Sequence, residues 1–172
     1  MPSCEILRTP RLLLRYQTPA DIPPLIALWR DPDVTRFMGG PRDLHALQTA
    51  FDETQANPTA ETHDLWPLVE ISSGQTIGHC GLLDKEVDGQ PEIELVYVLA
   101  KSAWGKGRAA EIGAALISHA FENMGHARLI ALIEPDNEPS ERVALRLGMR
   151  LEKEVIRPNG EPRRVYAIEM KD

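Results

Sequence analysis

The sequence predicts an α/β fold: a mixed, mostly antiparallel central sheet of about seven strands flanked by about four helices. Three observations carry this. Strand-like and helix-like periodicities alternate along the chain, with no repeats or low-complexity tracts. Three strand-like runs follow one another across the turn signals Ser73-Gly74 and Asp88-Gly89, the pattern of an antiparallel meander. A helix-like run then separates the third of them from the next strand, so that strand should return parallel to its neighbour.

The elements follow in order. A first strand covers roughly Arg11 to Tyr16. A helix comes next, with Thr18 as its cap, Pro19 at its first position and Asp21 completing a capping-box-like pattern. A second helix spans about Leu44 to Ala56. The three meander strands lie near Leu65 to Ile71, Gln75 to Leu83 and Glu92 to Ala100. From Ala109 to Met124, Ile112, Leu116 and Ile117 recur at helical spacing with Phe121 close behind, while Glu111, Ser118 and Glu122 fall on other faces. The strand near Arg128 to Ile133 leads through a polar corner into a fourth helix, capped by Asn137, with Pro139 in its first turn and Gly148 as its stop. A last hairpin turns at Asn159-Gly160.

Composition narrows the function classes. The 172 residues fit one domain, long enough to bury a core. A net charge of −7 and a pI near 5.3 argue against a nucleic-acid partner, which needs a basic face. An acidic surface suits cationic acceptors, or solubility alone. Cys4 in an N-terminal tail and Cys80 in a strand-like run make no disulfide framework. The histidines show no metal-ligand pattern, and His79 reads as a satisfied strand residue. The chain opens on no charged-then-apolar leader and has no apolar run long enough to span a bilayer, so no membrane partner and a cytoplasmic location are expected.

The run WGKGRAAE, Trp104 to Glu111, carries the chemistry. It joins the strand ending at Ala100 to the helix that follows. At a helix N-terminus the first N–H groups lack intrahelical partners and the dipole adds partial positive charge, so a phosphate can be held without side chains. Gly105 and Gly107 allow the backbone to approach closely, and Lys106 and Arg108 add charge. The loop argues against a nucleotide triphosphatase or dehydrogenase: there is no Gly-x-x-x-x-Gly-Lys-Ser/Thr string, and Ala110 stands where the dinucleotide pattern needs its third glycine.

With NEPS, Asn137 to Ser140, and ALRLGM before Arg150, the chain resembles the GCN5-related N-acetyltransferase (GNAT) superfamily, in the branch that includes ribosomal-protein N-terminal acetyltransferases of the Rim type. WGKGRA looks like its phosphate loop, NEPS like its Asn-x-x-Ser, and ALRLGM like its Ala-x-x-x-Leu-Gly-Phe ending. RLLLR, LWRDPDVTRFMG and TIGHCGL look like further family segments in the family's order.

The resemblance implies acetyl-CoA as co-substrate and splayed fourth and fifth strands, with the pantetheine arm of coenzyme A in the gap. It implies backbone groups of Val98 and Leu99 for that arm, amides from Gly105 through Lys106, Gly107, Arg108, Ala109 and Ala110 for the pyrophosphate, and Asn137 for the arm or the corner. Trp104 is more often a packing residue. An alkylammonium titrates near about 10 and must lose a proton before it attacks, so a base or water relay is needed. Glu94 is the implied base, with Glu92 the weaker competitor; Val96 replaces the family's usual glycine nearby. Ser140 or Tyr166 would protonate the departing thiolate, and Trp29, Phe37 and Met38 would border the acceptor, beside Arg30.

The expected function is acetyl transfer to a primary amine, foremost a protein or peptide N-terminal α-amine. A small cationic amine such as a polyamine, aminoglycoside or amino acid is the alternative; it would want a carboxylate cluster, for which Asp43, Asp52, Glu53, Glu61 and Asp64 are candidates. A non-catalytic acyl-CoA-binding module is the third reading. The family also allows homodimers.

Overall fold

The computed structural model describes residues 4–172. One eight-stranded sheet runs through it in the order β1-β2-β3-β4-β5-β6-β8-β7. The strands are β1 (Glu5–Arg8), β2 (Leu12–Arg15), β3 (Leu65–Glu70), β4 (Thr76–Val87), β5 (Gln90–Leu99), β6 (Arg128–Ile133), β7 (Arg150–Ile156) and β8 (Pro162–Glu169). The helices are α1 (Ile22–Arg30), α2 (Leu44–Ala56), α3 (Arg108–Glu122) and α4 (Glu138–Arg146). Every neighbouring pair is antiparallel except β5 and β6.

The strand count exceeds the expected seven because the segment read as a tail forms β1, a four-residue edge strand that pairs with β2. Its two apolar residues, Ile6 and Leu7, are too short a run to signal a strand; pairing, including the bond from Tyr16 N–H to the Cys4 carbonyl, decides its conformation. β4 also runs past Leu83 to Val87, into a hairpin closed by Asp88 and Gly89, both in the left-handed region at φ 51° and 75°. That pair of positive φ angles is what a two-residue turn matched to strand twist requires.

Alternation along β5 divides the molecule into two layers. Leu95 and Leu99 face the large core that contains Ile112, Leu116 and Ala120 of α3 and Ala144 of α4. Val96 and Val98 face the other way, against Leu25 and Leu28 of α1 and Phe51 of α2. Glu94, two residues before Val96, shares this second face, above an apolar floor made by Val87, Ile130, Val155 and Val165.

The entry to α1 is held by a buried carboxylate. Pro19–Asp21 forms a single 3-10 turn that runs into the helix. Asp21, with no solvent exposure, accepts from both Arg15 guanidinium nitrogens at 2.6 and 3.0 Å, from Thr18 N–H at 2.7 Å and from the Thr76 hydroxyl at 2.6 Å. Burial raises its pKa, but the Arg15, Thr76 and Thr18 bonds outweigh it and hold the group below the ordinary aspartate value. Asp21→Asn leaves the partly buried Arg15 against a neutral amide and is expected to cost about 3 kcal/mol in urea unfolding at pH 7. Because the folded pKa is depressed, Asp21's contribution is present above about 3.9 and is lost as pH falls through the lower folded value, so the gap between variant and parent should close in acid. An equal urea midpoint at pH 7 would contradict this.

Candidate active site

β5 and β6 pair at one position, Glu94 opposite Ile130, and then continue without further pairing. A V-shaped gap therefore opens beside Leu95 to Leu99. Register shows which backbone groups face it. Ala100 N–H donates to the Ile77 carbonyl, so with Gly78 opposite Leu99, the N–H and C=O of Val98 are turned toward His79 on β4. The same alternation turns Tyr97 and Leu99 toward β6. Leu99 thus faces the gap as expected, whereas Val98 contributes its side chain to the α1/α2 face, and Tyr97 takes its place along the gap. The Leu99 carbonyl accepts from the Trp104 indole N–H at 2.9 Å, which leaves its N–H for the gap.

The glycine loop closes one end. Gly105 and Gly107 have φ 71° and 76°, the left-handed region that a side chain disfavours, and Gly107 is the N-cap of α3 with no side chain capping it. A Cβ at Gly105 would meet nothing within 4 Å, so the loop's outer surface is open. The unpaired first-turn N–H groups of Arg108, Ala109 and Ala110 lie at this end. The Arg108 side chain turns inward to pair with Glu70, and its Nε and Nη1 are buried without a partner among the described residues. An open, left-handed, uncapped helix start beside a guanidinium with two unsatisfied nitrogens among the described residues fits an anionic group such as a pyrophosphate. Lys106 is exposed, with Nζ on the Ser102 carbonyl at 3.1 Å.

Nothing in the local sequence announces the brace behind this loop. Arg11, between β1 and β2, donates from Nε to Glu111 at 2.6 Å and from Nη1 to the Lys106 carbonyl at 2.9 Å. Glu111 also accepts from the Thr9 hydroxyl at 2.6 Å. The edge hairpin thus fixes the loop to the first turn of α3.

Across the gap, on the α3/α4 face, Tyr97 Oη donates to the Ser140 carbonyl at 3.3 Å. Asn137 caps α4, accepting from Ser140 N–H at 3.3 Å, and the Ser140 hydroxyl has no hydrogen bond among the described residues. Burial pushes the Tyr97 phenol well above its ordinary value. Tyr166 is fully buried in the large core, with Glu141 beside it, and its phenol is pushed up to about 12 by burial first and Glu141 second.

Glu94 stands at the mouth of the gap on the opposite face, 13 % exposed, with no hydrogen bond among the described residues and Lys85 Nζ at 4.0 Å. Burial raises its pKa, partly offset by Lys85, Arg157 and Arg163, to about 7. Glu92 is instead engaged by Arg128 at 3.0 Å, and so is not a free carboxylate at the gap. The expected acceptor border is assembled on the α1/α2 side. Trp29 Nε1 donates to His79 Nδ1 at 3.0 Å, and Arg42 lies over its ring at 5.2 Å. Met38 packs with α1 and α2, Phe37 is half-buried beneath Arg36, and Arg30 is exposed. Burial lowers His79 to about 4, so its ring is neutral and serves to orient Trp29.

Residues 11–150 match the family model described as acetyltransferase (GNAT) domain. Among relatives, YkkB of Bacillus subtilis strain 168, an uncharacterized protein, is 31% identical over 161 residues, covering 93% of each chain. A GNAT-family acetyltransferase from Bacillus anthracis superposes with a TM-score of 0.79 at 25% identity, over 95% of this chain and 97% of that one. RimL, a ribosomal L7/L12 α-N-protein acetyltransferase solved with coenzyme A, superposes at 0.78 with 18% identity, over 96% and 98% of the two chains, a likeness of fold alone.

Proposed function

Because the chain belongs to the acetyltransferase (GNAT) family, an enzyme family that uses acetyl-CoA, we propose that it acetylates a protein or peptide N-terminal α-amine with Glu94 as the base, the 172 residues acting as one domain. Acetyl-CoA supplies the activated acetyl group as a thioester. The residues around the gap do the rest.

The observation that carries the reading is Glu94: a carboxylate without a hydrogen bond among the described residues, at the last paired position before the strands part, its pKa pushed up by burial to about 7. Such a group is half ionised near neutrality and can take a proton from an incoming ammonium, directly or through water. Attack by the freed amine forms the N–C bond, and the negative charge that develops on the acetyl oxygen is met by a backbone N–H of Leu99 or Tyr97. The C–S bond then breaks, and Ser140, whose hydroxyl is uncommitted, protonates the thiolate across the gap. Gly105 to Ala110 hold the pyrophosphate, and Asn137 keeps the Ser140 corner in place.

The α-amine acceptor is supported by the apolar, aromatic border of Trp29, Phe37 and Met38. Three of the five carboxylates that a polycationic amine would seek have partners of their own: Asp43 caps α2, Asp52 accepts from Gln48, and Asp64 bonds its neighbouring N–H. The test is release of free thiol from acetyl-CoA with N-terminal peptides, polyamines, aminoglycosides and amino acids in parallel. Peptide-dependent release is expected; release by polyamines or aminoglycosides alone would overturn the acceptor assignment.

A further inference from the structure

The net charge of −7 hides a local excess of cations at the acceptor side of the gap. Lys85, Arg157 and Arg163 gather around Glu94: Arg163 stands opposite Val155, which shares one apolar floor with Ile130, the partner of Glu94, and Arg157 reaches the hairpin that carries Lys85. They come from different elements. Lys85 stands on β4 with its Nζ 4.0 Å from Glu94. Arg157, at the β7–β8 turn, donates to the Glu86 carbonyl at 2.9 Å, which ties that turn to the β4–β5 hairpin. Arg163, second in β8, is 16 % exposed and donates to the Pro162 carbonyl at 2.7 Å, with Glu161 at 4.0 Å as its one ion-pair partner among the described residues. The Arg157 guanidinium has no carboxylate partner among the described residues. Arg36 and Arg42, over Phe37 and Trp29, add positive charge to the opposite border.

We propose that the acceptor carries a carboxylate beside its amine, and that Arg157 and Arg163 bind it while Glu94 receives the amine's proton; this rests on the acetyltransferase reading of the same site. A guanidinium fork binds a carboxylate in two parallel hydrogen bonds, which fixes orientation as well as charge. Glu94 and the two arginines then present opposite signs to the two ends of one small zwitterionic feature. An acceptor with several ammonium groups would instead meet Lys85, Arg157 and Arg163 unscreened, in a site floored by valines and isoleucine. The carboxylate can be the α-carboxylate of a free amino acid or an acidic side chain at the second position of a peptide; both present the same chemistry to the arginines.

The experiment compares matched pairs in the acetyl-CoA assay: a free amino acid against its amide, and peptide amides beginning Met-Glu against Met-Gln. Higher kcat/KM for a carboxylate-bearing member, by about ten-fold, is expected. Which pair shows it names the source. Arg157→Gln and Arg163→Gln should each erase the preference while leaving coenzyme A affinity by calorimetry unchanged. Equal rates within both pairs, or a preference that survives both substitutions, would overturn the proposal while leaving the acetyltransferase reading intact. Should no acceptor in the panel turn over, calorimetry of the same pairs on the enzyme with coenzyme A bound still decides: carboxylate-dependent binding lost in the arginine variants supports it, and none refutes it.

Discussion

Replacing Gly107 with glutamate should abolish coenzyme A binding, by on the order of 100-fold or more in calorimetric Kd. Gly107 has φ 76° and caps α3 without a side chain of its own. A Cβ here would sit 3.6 Å from Arg11 Nη2, so an attached carboxylate would point into the region where Arg11 and the helix start offer positive charge. It would occupy the anion's place and repel the pyrophosphate. The same attraction should offset the left-handed strain, about 1 to 2 kcal/mol, and keep the variant folded. Gly107→Ala separates the causes: it carries the strain without the charge, and should bind only a few-fold more weakly. Equal affinity for Gly107→Glu and the parent would remove the loop from the cofactor site.

Glu94→Gln should lower kcat/KM by about 100-fold or more, the lower end of what a positioned base contributes. Parent activity should rise with pH through an inflection near about 7, and the variant should lose that inflection. Stability should move the other way. An unfolded glutamate ionises near about 4.3, whereas burial delays ionisation in the folded state to about 7, so the unfolded chain holds fewer protons between these values. The parent therefore loses stability as pH rises through that window, and the loss is complete above it. The amide introduced by Glu94→Gln never ionises, so the variant should melt higher than the parent at pH 8 and alike at pH 4. A less active and equally stable variant at pH 8 would mean that Glu94 is solvated, and that its raised pKa is not the basis of its role.

What sequence reading could reach was governed by distance along the chain. The glycine loop, the Asn137 cap and α2 from Leu44 to Ala56 depend on residues a few positions apart, and local patterning finds them. β1 escaped because a four-residue edge strand exists only through its partner β2. The far half of β4 escaped because Asp84, Lys85 and Glu86 read as a loop until their pairing with β5 is known. Within the site, the Arg11–Glu111 brace joins residues 100 apart and the Trp29–His79 bond joins residues 50 apart, and no local signal marks either. The role of Val98 turned on one register position, since shifting by a single residue exchanges the groups that face β4 for those that face the gap.

The indole of Trp104 bridges the end of β5 to the loop that follows it, with 45 % of the residue still in water. Trp66 is buried, and Trp29 is tethered to neutral His79 at the acceptor border. The three fluorophores therefore divide the cleft between them: emission from Trp104 should shift to shorter wavelength when a ligand covers the gap, emission from Trp29 should answer to the amine, and Trp66 should answer to neither. Single Trp→Phe replacements would turn that division into a clock for the order in which the two substrates arrive.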